Sequence, residues 1–154
     1  MRPAPLLSAS LLALLLAGCS ERVIATANDE MLVVVDDIER ATPLASATVH
    51  YVMSAPQPLS NDSGPEERVV RMRKEGRFDC TGRRWGETFQ ELTMADSRTL
   101  TTRRPRPALR APSSGSIGEY ALKAVCDQEF YGSRVSRRAM VSIVEDYLKR
   151  TPER

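Results

Sequence analysis

The longest alternating pattern in the chain runs over residues 66–80. Val70, Met72, Phe78 and Cys80 share one parity, and Arg71, Arg73, Glu75, Arg77 and Asp79 share the other. A period of two with charge on one side predicts a half-buried antiparallel strand, with Cys80 facing inward beside Phe78. Gly76 interrupts the row as a candidate bulge. Met31-Leu32-Val33-Val34-Val35-Asp36 is rich in β-branched residues and predicts another strand, ended by Asp36-Asp37 and by Pro43, with Ile38 under the turn. Residues 45–54 alternate again: Ala47, Val49, Tyr51 and Met53 on one side, Thr48, His50 and Val52 on the other. After a turn at residues 81–84, residues 85–94 predict a strand whose faces conflict. Trp85 and Phe89 have one parity and Leu92 and Met94 the other, so a slip or bulge must lie between them. Residues 98–103 hold a single large apolar side chain, Leu100, which suits an edge strand.

Between these strands, residues 55–65 are crowded with Pro, Ser, Asn, Asp and Gly and predict a loop. Residues 104–114 contain Pro105, Pro107 and Pro112 and predict an extended connection. The pattern then changes to a helical period. Ser116 and Glu119 form a capping box, and Ile117, Tyr120, Ala121, Ala124 and Val125 fall on one stripe with Cys126 in the last turn. A second helix is expected from Gly132-Ser133 to about Lys149, with Val135, Ala139, Met140, Ile143, Val144, Tyr147 and Leu148 as its apolar stripe. The expected class is α+β: an antiparallel sheet of about five or six strands, one bridged helix and a further C-terminal helix.

The N-terminus changes where this domain is placed. Arg2 precedes an apolar run at residues 11–17 that is too short to span a bilayer comfortably. Leu16-Ala17-Gly18-Cys19 resembles the lipobox of bacterial lipoproteins. The resemblance implies a cleaved signal peptide at residues 1–18 and a lipid, palmitate included, on Cys19. Ser20 is not the aspartate that marks inner-membrane retention in lipoproteins, so the outer membrane is the expected site. Residues 20–29 read as a polar tether of at most about 33–36 Å. The domains expected are then the signal peptide, the lipidated Cys19 with its tether to residue 29, a domain at 30–127, and a C-terminal extension at 128–154.

Loss of residues 1–18 removes one basic residue and leaves 136 residues with 21 basic against 20 acidic. That near-neutrality argues against a nucleic-acid binder. The charge is uneven, with two basic and seven acidic residues over 20–63, and twelve basic and seven acidic over 64–110. In an oxidising compartment the remaining pair, Cys80 and Cys126, predicts a disulfide; two buried free thiols are the alternative.

Candidate chemistry is sparse. His50 is the only histidine and has no partner set for catalysis or zinc. Asp36, Asp37 and Glu39 lack the spacing of a calcium loop and read as a solvated strand end. Ser113-Ser114-Gly115-Ser116 lacks the strand–turn–helix context of a serine nucleophile and reads as helix entry. No cofactor is expected. The basic residues Arg71, Arg73, Arg77, Arg83 and Arg84, with Arg98, Arg103, Arg104, Arg106 and Arg110, have two readings. One is a surface for an anionic partner, whether glycan, lipopolysaccharide phosphate or acidic protein. The other is an ordinary solvated face with some ion pairs.

Phe78-Asp79-Cys80 with Arg83-Arg84, and Pro112, Gly115-Ser116-Ile117-Gly118-Glu119 and Ala124-Val125-Cys126, resemble the surface-adhesin protein E family of bacterial exported proteins. Val35-Asp36 and Ile38 fit its opening segment more loosely, and the resemblance covers roughly residues 30–127. It implies a curved antiparallel sheet with a C-terminal helix held by a disulfide, Cys80 and Cys126 falling on the family's two cysteines. It also implies adhesion to host epithelium and matrix proteins, and a homodimer. Residues 128–154 extend beyond the family's usual end. The functional expectation is a lipid-anchored envelope binding protein without catalysis. The alternative is an accessory envelope lipoprotein that acts through protein partners and faces the periplasm.

Overall fold

The computed structural model describes residues 21–60, 64 and 67–151. The expected signal peptide at residues 1–18, Cys19 and part of the 55–65 segment therefore lie outside the described residues. Five strands form an antiparallel meander: β2 (Met31–Glu39), β3 (Ala45–Pro58), β4 (Arg68–Asp79), β5 (Arg84–Met94) and β6 (Thr99–Arg103). β1 (Arg22–Ala27) and the two-residue β7 (Val135–Ser136) complete a seven-stranded sheet in the order β6-β5-β4-β3-β2-β1-β7. The helices are α1 (Ile117–Cys126), α2 (Gln128–Arg134) and α3 (Met140–Arg150). The α+β class, the antiparallel sheet and the bridged helix are as the sequence implies.

The sheet is covered on both faces. On the first face Val33, Val35, Val49 and Phe78 form one core with Ala121, Leu122, Ala124 and Val125 of α1. On the second, Leu32, Val34 and Val52 pack against Ile143, Val144 and Tyr147 of α3. β2 is thus buried from both sides, and Leu32, Val33, Val34 and Val35 are each no more than 2% exposed. An unbroken apolar run is what a doubly covered strand requires.

α1 is positioned by three local devices. Ser116 Oγ accepts the Glu119 N–H at 3.3 Å, and the Glu119 carboxylate reaches back to accept the Gly115 N–H at 2.6 Å. That return contact lands one residue ahead of the N-cap itself. Gly115, at φ +72°, makes the turn that allows it. Gly118 lets α1 approach the sheet: a Cβ there would lie 2.7 Å from Trp85 Nε1. At the far end Cys126 is bridged to Cys80, just past β4, with Cα atoms 5.3 Å apart. The expected disulfide is present.

The conflicting parities resolve through bulges. Gly76 pairs with Glu87 but Glu75 with Phe89, so Thr88 is the extra residue on β5. Trp85 then joins Leu92 and Met94 on the first face, while Phe89 turns to the second. The predicted 55–65 loop starts later than expected. β3 continues to Pro58, and a bulge between Val52 and Gln57 accommodates Pro56, which has no N–H for the ladder.

Two further expectations are corrected. Residues 22–27, read as tether, form β1, in which Val23 and Ala25 are fully buried. β2 needs a neighbour on that side, and a short alternating segment of small residues supplies it. The single helix expected over 132–149 is divided. Val135 and Ser136 pair with Val23 and Arg22 at the edge of β1. That pairing carries the chain round the sheet edge, so α3 packs on the face opposite α1. Val135 is accordingly exposed and Ala139 is the N-cap of α3.

Candidate anion-binding edge

The five arginines singled out by sequence separate into two groups. Arg71, Arg73 and Arg77 lie along β4, all on the second face, as the alternation predicts. Arg73 is paired with Glu75 at 2.6 Å and also stands over the Phe89 ring, 5.4 Å from its centroid. Arg71 and Arg77 have no ion pair among the described residues. Arg83, in the β4–β5 turn, and Arg84, the first residue of β5, are engaged. Arg83 binds Asp127 through two nitrogens, at 2.5 and 3.2 Å. Arg84 donates to Asp79 at 2.7 Å. The Gly82 N–H, followed by Arg84, holds the Asp79 carboxyl below the usual carboxylate range. These two arginines clamp the turn and the end of α1 near the disulfide. They do not continue the β4 row.

A denser set of guanidinium groups without ion pairs among the described residues lies at the β6 edge. After β6 the Pro-rich segment stays beside β5. Arg104 N–H donates to Thr88 at 2.7 Å, and Trp85 and Arg110 exchange two backbone hydrogen bonds at 3.0 and 2.9 Å. Residues 105–109 bow out between these points over Gly86, where a Cβ would meet Pro107 at 2.8 Å and the Ala108 carbonyl at 2.9 Å. The bow leaves a groove of about 420 Å³ lined by Trp85, Gly86, Glu87, Arg104, Arg106, Pro107, Ala108 and Arg110. The single carboxylate in the lining, Glu87, is bound to Lys74 at 2.5 Å. The three arginines have no ion pair among the described residues. On the second face of the same edge Arg103 lies 4.8 Å from the Phe89 centroid. Phe89 is 7% exposed, covered by Arg103 and Arg73.

Like charges gathered without counter-charges raise the local potential and attract anions, more so in a concave setting. Planar guanidinium forks also match carboxylate, sulfate and phosphate groups. Sequence reading counted Arg103, Arg104, Arg106 and Arg110 among the basic residues without singling them out. Pro105 and Pro107 among them, with Pro112 just beyond, were the available signal, since a chain that cannot turn helical must run on along the sheet.

The other candidates are also placed. His50 Nε2 is 3.0 Å from Asp36 Oδ1, and Arg22 Nε is 3.6 Å from Asp36 Oδ2. Asp36 is 7% exposed, so it is not the solvated strand end expected. β1 brings Arg22 to it, and that strand was not foreseen. Ser116 caps α1, and its N–H donates to the Ser113 carbonyl. Among the described residues no group of three His, Cys, Asp or Glu is placed to hold a metal ion. No helix among them is long and apolar enough to cross a membrane. Comparison with protein-family models, curated proteins and solved structures found no match.

Proposed function

We propose that this chain is a lipid-anchored binding module of the bacterial cell envelope, acting without catalysis, and that its ligand is anionic. The observation that carries the reading is the cluster of Arg103, Arg104, Arg106 and Arg110 at an open sheet edge, without ion pairs among the described residues. The lipobox-like Leu16-Ala17-Gly18-Cys19 supports the anchor, and the resemblance to the surface-adhesin protein E family supports a binding role. The test is titration of the purified protein with heparin, a soluble sulfated polyanion, at several salt concentrations. Saturable binding should weaken steeply with salt and be lost in Arg104→Glu/Arg106→Glu/Arg110→Glu. No saturable binding at low salt refutes the anionic ligand. Labelling with an alkyne fatty acid tests the anchor: wild type should be labelled and Cys19→Ala should not.

A second reading is an accessory lipoprotein that faces the periplasm and acts through protein partners. It draws on α3, where Val141 is 62% and Leu148 is 38% exposed, one heptad apart on the outer side. Crosslinking in cells from position 141 or 148 that captures no partner counts against it.

A further inference from the structure

We infer that β6 receives an extended acidic polypeptide as an added strand, an inference that rests on the anionic-ligand reading and deepens it. β6 is the last strand on its side of the sheet, and all five of its residues are exposed. The hydrogen-bond phase of its ladder is fixed at both ends. The Met94 N–H donates to the Arg98 carbonyl, and the Arg104 N–H donates to the Thr88 carbonyl. In the register Leu92↔Leu100 and Gln90↔Thr102, the even-numbered residues therefore bond to β5. The N–H and C=O groups of Thr99, Thr101 and Arg103 point away from the sheet and have no partner among the described residues. Three residues in alternation present both donors and acceptors, the template that strand addition uses.

The charge selects the occupant. Arg103 stands on one face of this strand, and Arg104 and Arg106 follow where the chain enters the groove on the other. A second copy of β6 with its flanking residues would add its own Arg98, Arg103 and Arg104 to this already basic edge, which disfavours self-pairing. A strand carrying Glu or Asp meets them with opposite charge. Leu100, 45% exposed and paired with Leu92, adds an apolar contact for a side chain of the incoming strand.

The probe is an eight-residue peptide of alternating Val and Glu, blocked at both ends and titrated into the purified full chain in detergent. Its partner probe has the same sequence with alternate backbone amides N-methylated, in both phases. Methylation keeps every charge and removes the donors that strand addition needs. The expected result is saturable binding of the unmodified peptide, with one methylated phase at least about tenfold weaker, as expected for losing backbone hydrogen bonds. On the protein, Thr101→Pro should weaken the unmodified peptide similarly, because that N–H makes no bond to β5. Equal binding of the methylated and unmodified peptides overturns strand addition but leaves the anionic-ligand reading intact. Loss of heparin binding as well as peptide binding removes both. Concentration-dependent dimerisation abolished by Thr101→Pro would instead show that a second copy occupies the edge.

Discussion

Reducing the Cys80–Cys126 bridge should cost this fold about 4 kcal/mol without unfolding it at room temperature. The two cysteines are 46 residues apart in sequence. In the chain-entropy description, a closed loop of about that length removes roughly 14 cal/mol/K from the unfolded ensemble, or about 4 kcal/mol at 25 °C. A domain of this size has roughly 7–20 kcal/mol of stability in total. α1 also has a hold of its own, since Leu122 and Val125 are no more than 1% exposed. Burying those two side chains contributes about 3–6 kcal/mol. The helix should therefore stay docked in the reduced protein. The assay is urea unfolding of wild type against Cys80→Ser/Cys126→Ser, followed by tryptophan fluorescence. The chain has one tryptophan, Trp85. Its ring stacks on Phe78 at 5.7 Å and its Nε1 faces Gly118, so its emission reports the junction of α1 with the sheet. The expectation is one cooperative transition at lower urea, with a melting temperature roughly 10–20 °C below wild type. A loss under about 1 kcal/mol would refute the loop-closure reasoning. An early, separate Trp85 transition in the double variant would show instead that the bridge holds α1 in the native state.

Other outcomes are specific to single residues. Val23→Asp, at a fully buried position of β1, should destabilise by more than about 3 kcal/mol in chemical denaturation; a neutral result would return residues 22–27 to the role of tether. Tyr147→Phe should raise stability by about 1 kcal/mol in the same assay, because the Tyr147 hydroxyl is buried without a hydrogen-bond partner among the described residues; a clear loss would show that the hydroxyl is bonded. Glu119 is held below its usual range, chiefly by the Gly115 N–H and then by Lys123, and Asp79 by the Gly82 N–H and then by Arg84. A folded value below the unfolded one means the ionised form favours the native state. That stability is fully present above about pH 4–4.5 and lost as pH falls through the lower folded values. Melting temperature should therefore decline on acidification through that window, and Asp79→Asn should flatten the decline; an unchanged slope would refute the assignment.

The parts of this fold that were legible in sequence are those with a one-sided pattern. β4 declared its faces through the alternation of arginines with Met72 and Phe78, although a bulge puts Val69 rather than Val70 in the core, and α1 declared its start through Ser116 and Glu119. β5 carried a contradiction that foretold its bulge, although not that Phe89 would be the residue left under arginines. What stayed hidden depended on distant partners. β1 is short and built largely of small residues, and only the doubly buried β2 gives it a reason to be a strand. The helical stripe of Val135 and Ala139 with α3 was periodic by chance; an open edge on β1 claimed residues 135–136 instead. The candidate site was half legible. Its residue type showed, but the ion pairs that remove Arg83 and Arg84 from it require a turn and a helix end brought together by the disulfide.

The same correction alters how the proposed site relates to the proposed anchor. With residues 20–29 as a tether, the head would range freely over some tens of ångströms of membrane. With β1 beginning at Arg22, two residues, Ser20 and Glu21, lie between the domain and Cys19, and the three steps along the chain reach at most about 11 Å. A lipid on Cys19, as proposed, would keep the β1 side of the sheet close to the membrane. β6 stands five strand spacings from β1, about 24 Å across the sheet. Glu21, the last described residue toward the anchor, is itself fixed by Tyr131 and by Arg137, which further limits swivelling. On that proposal the arginines of the β6 edge would lie at the margin of the head farthest from the anchored strand. The proposed anchor and the proposed acidic strand would then engage opposite margins of the sheet, so lipid on Cys19 would leave the β6 edge open to a polypeptide.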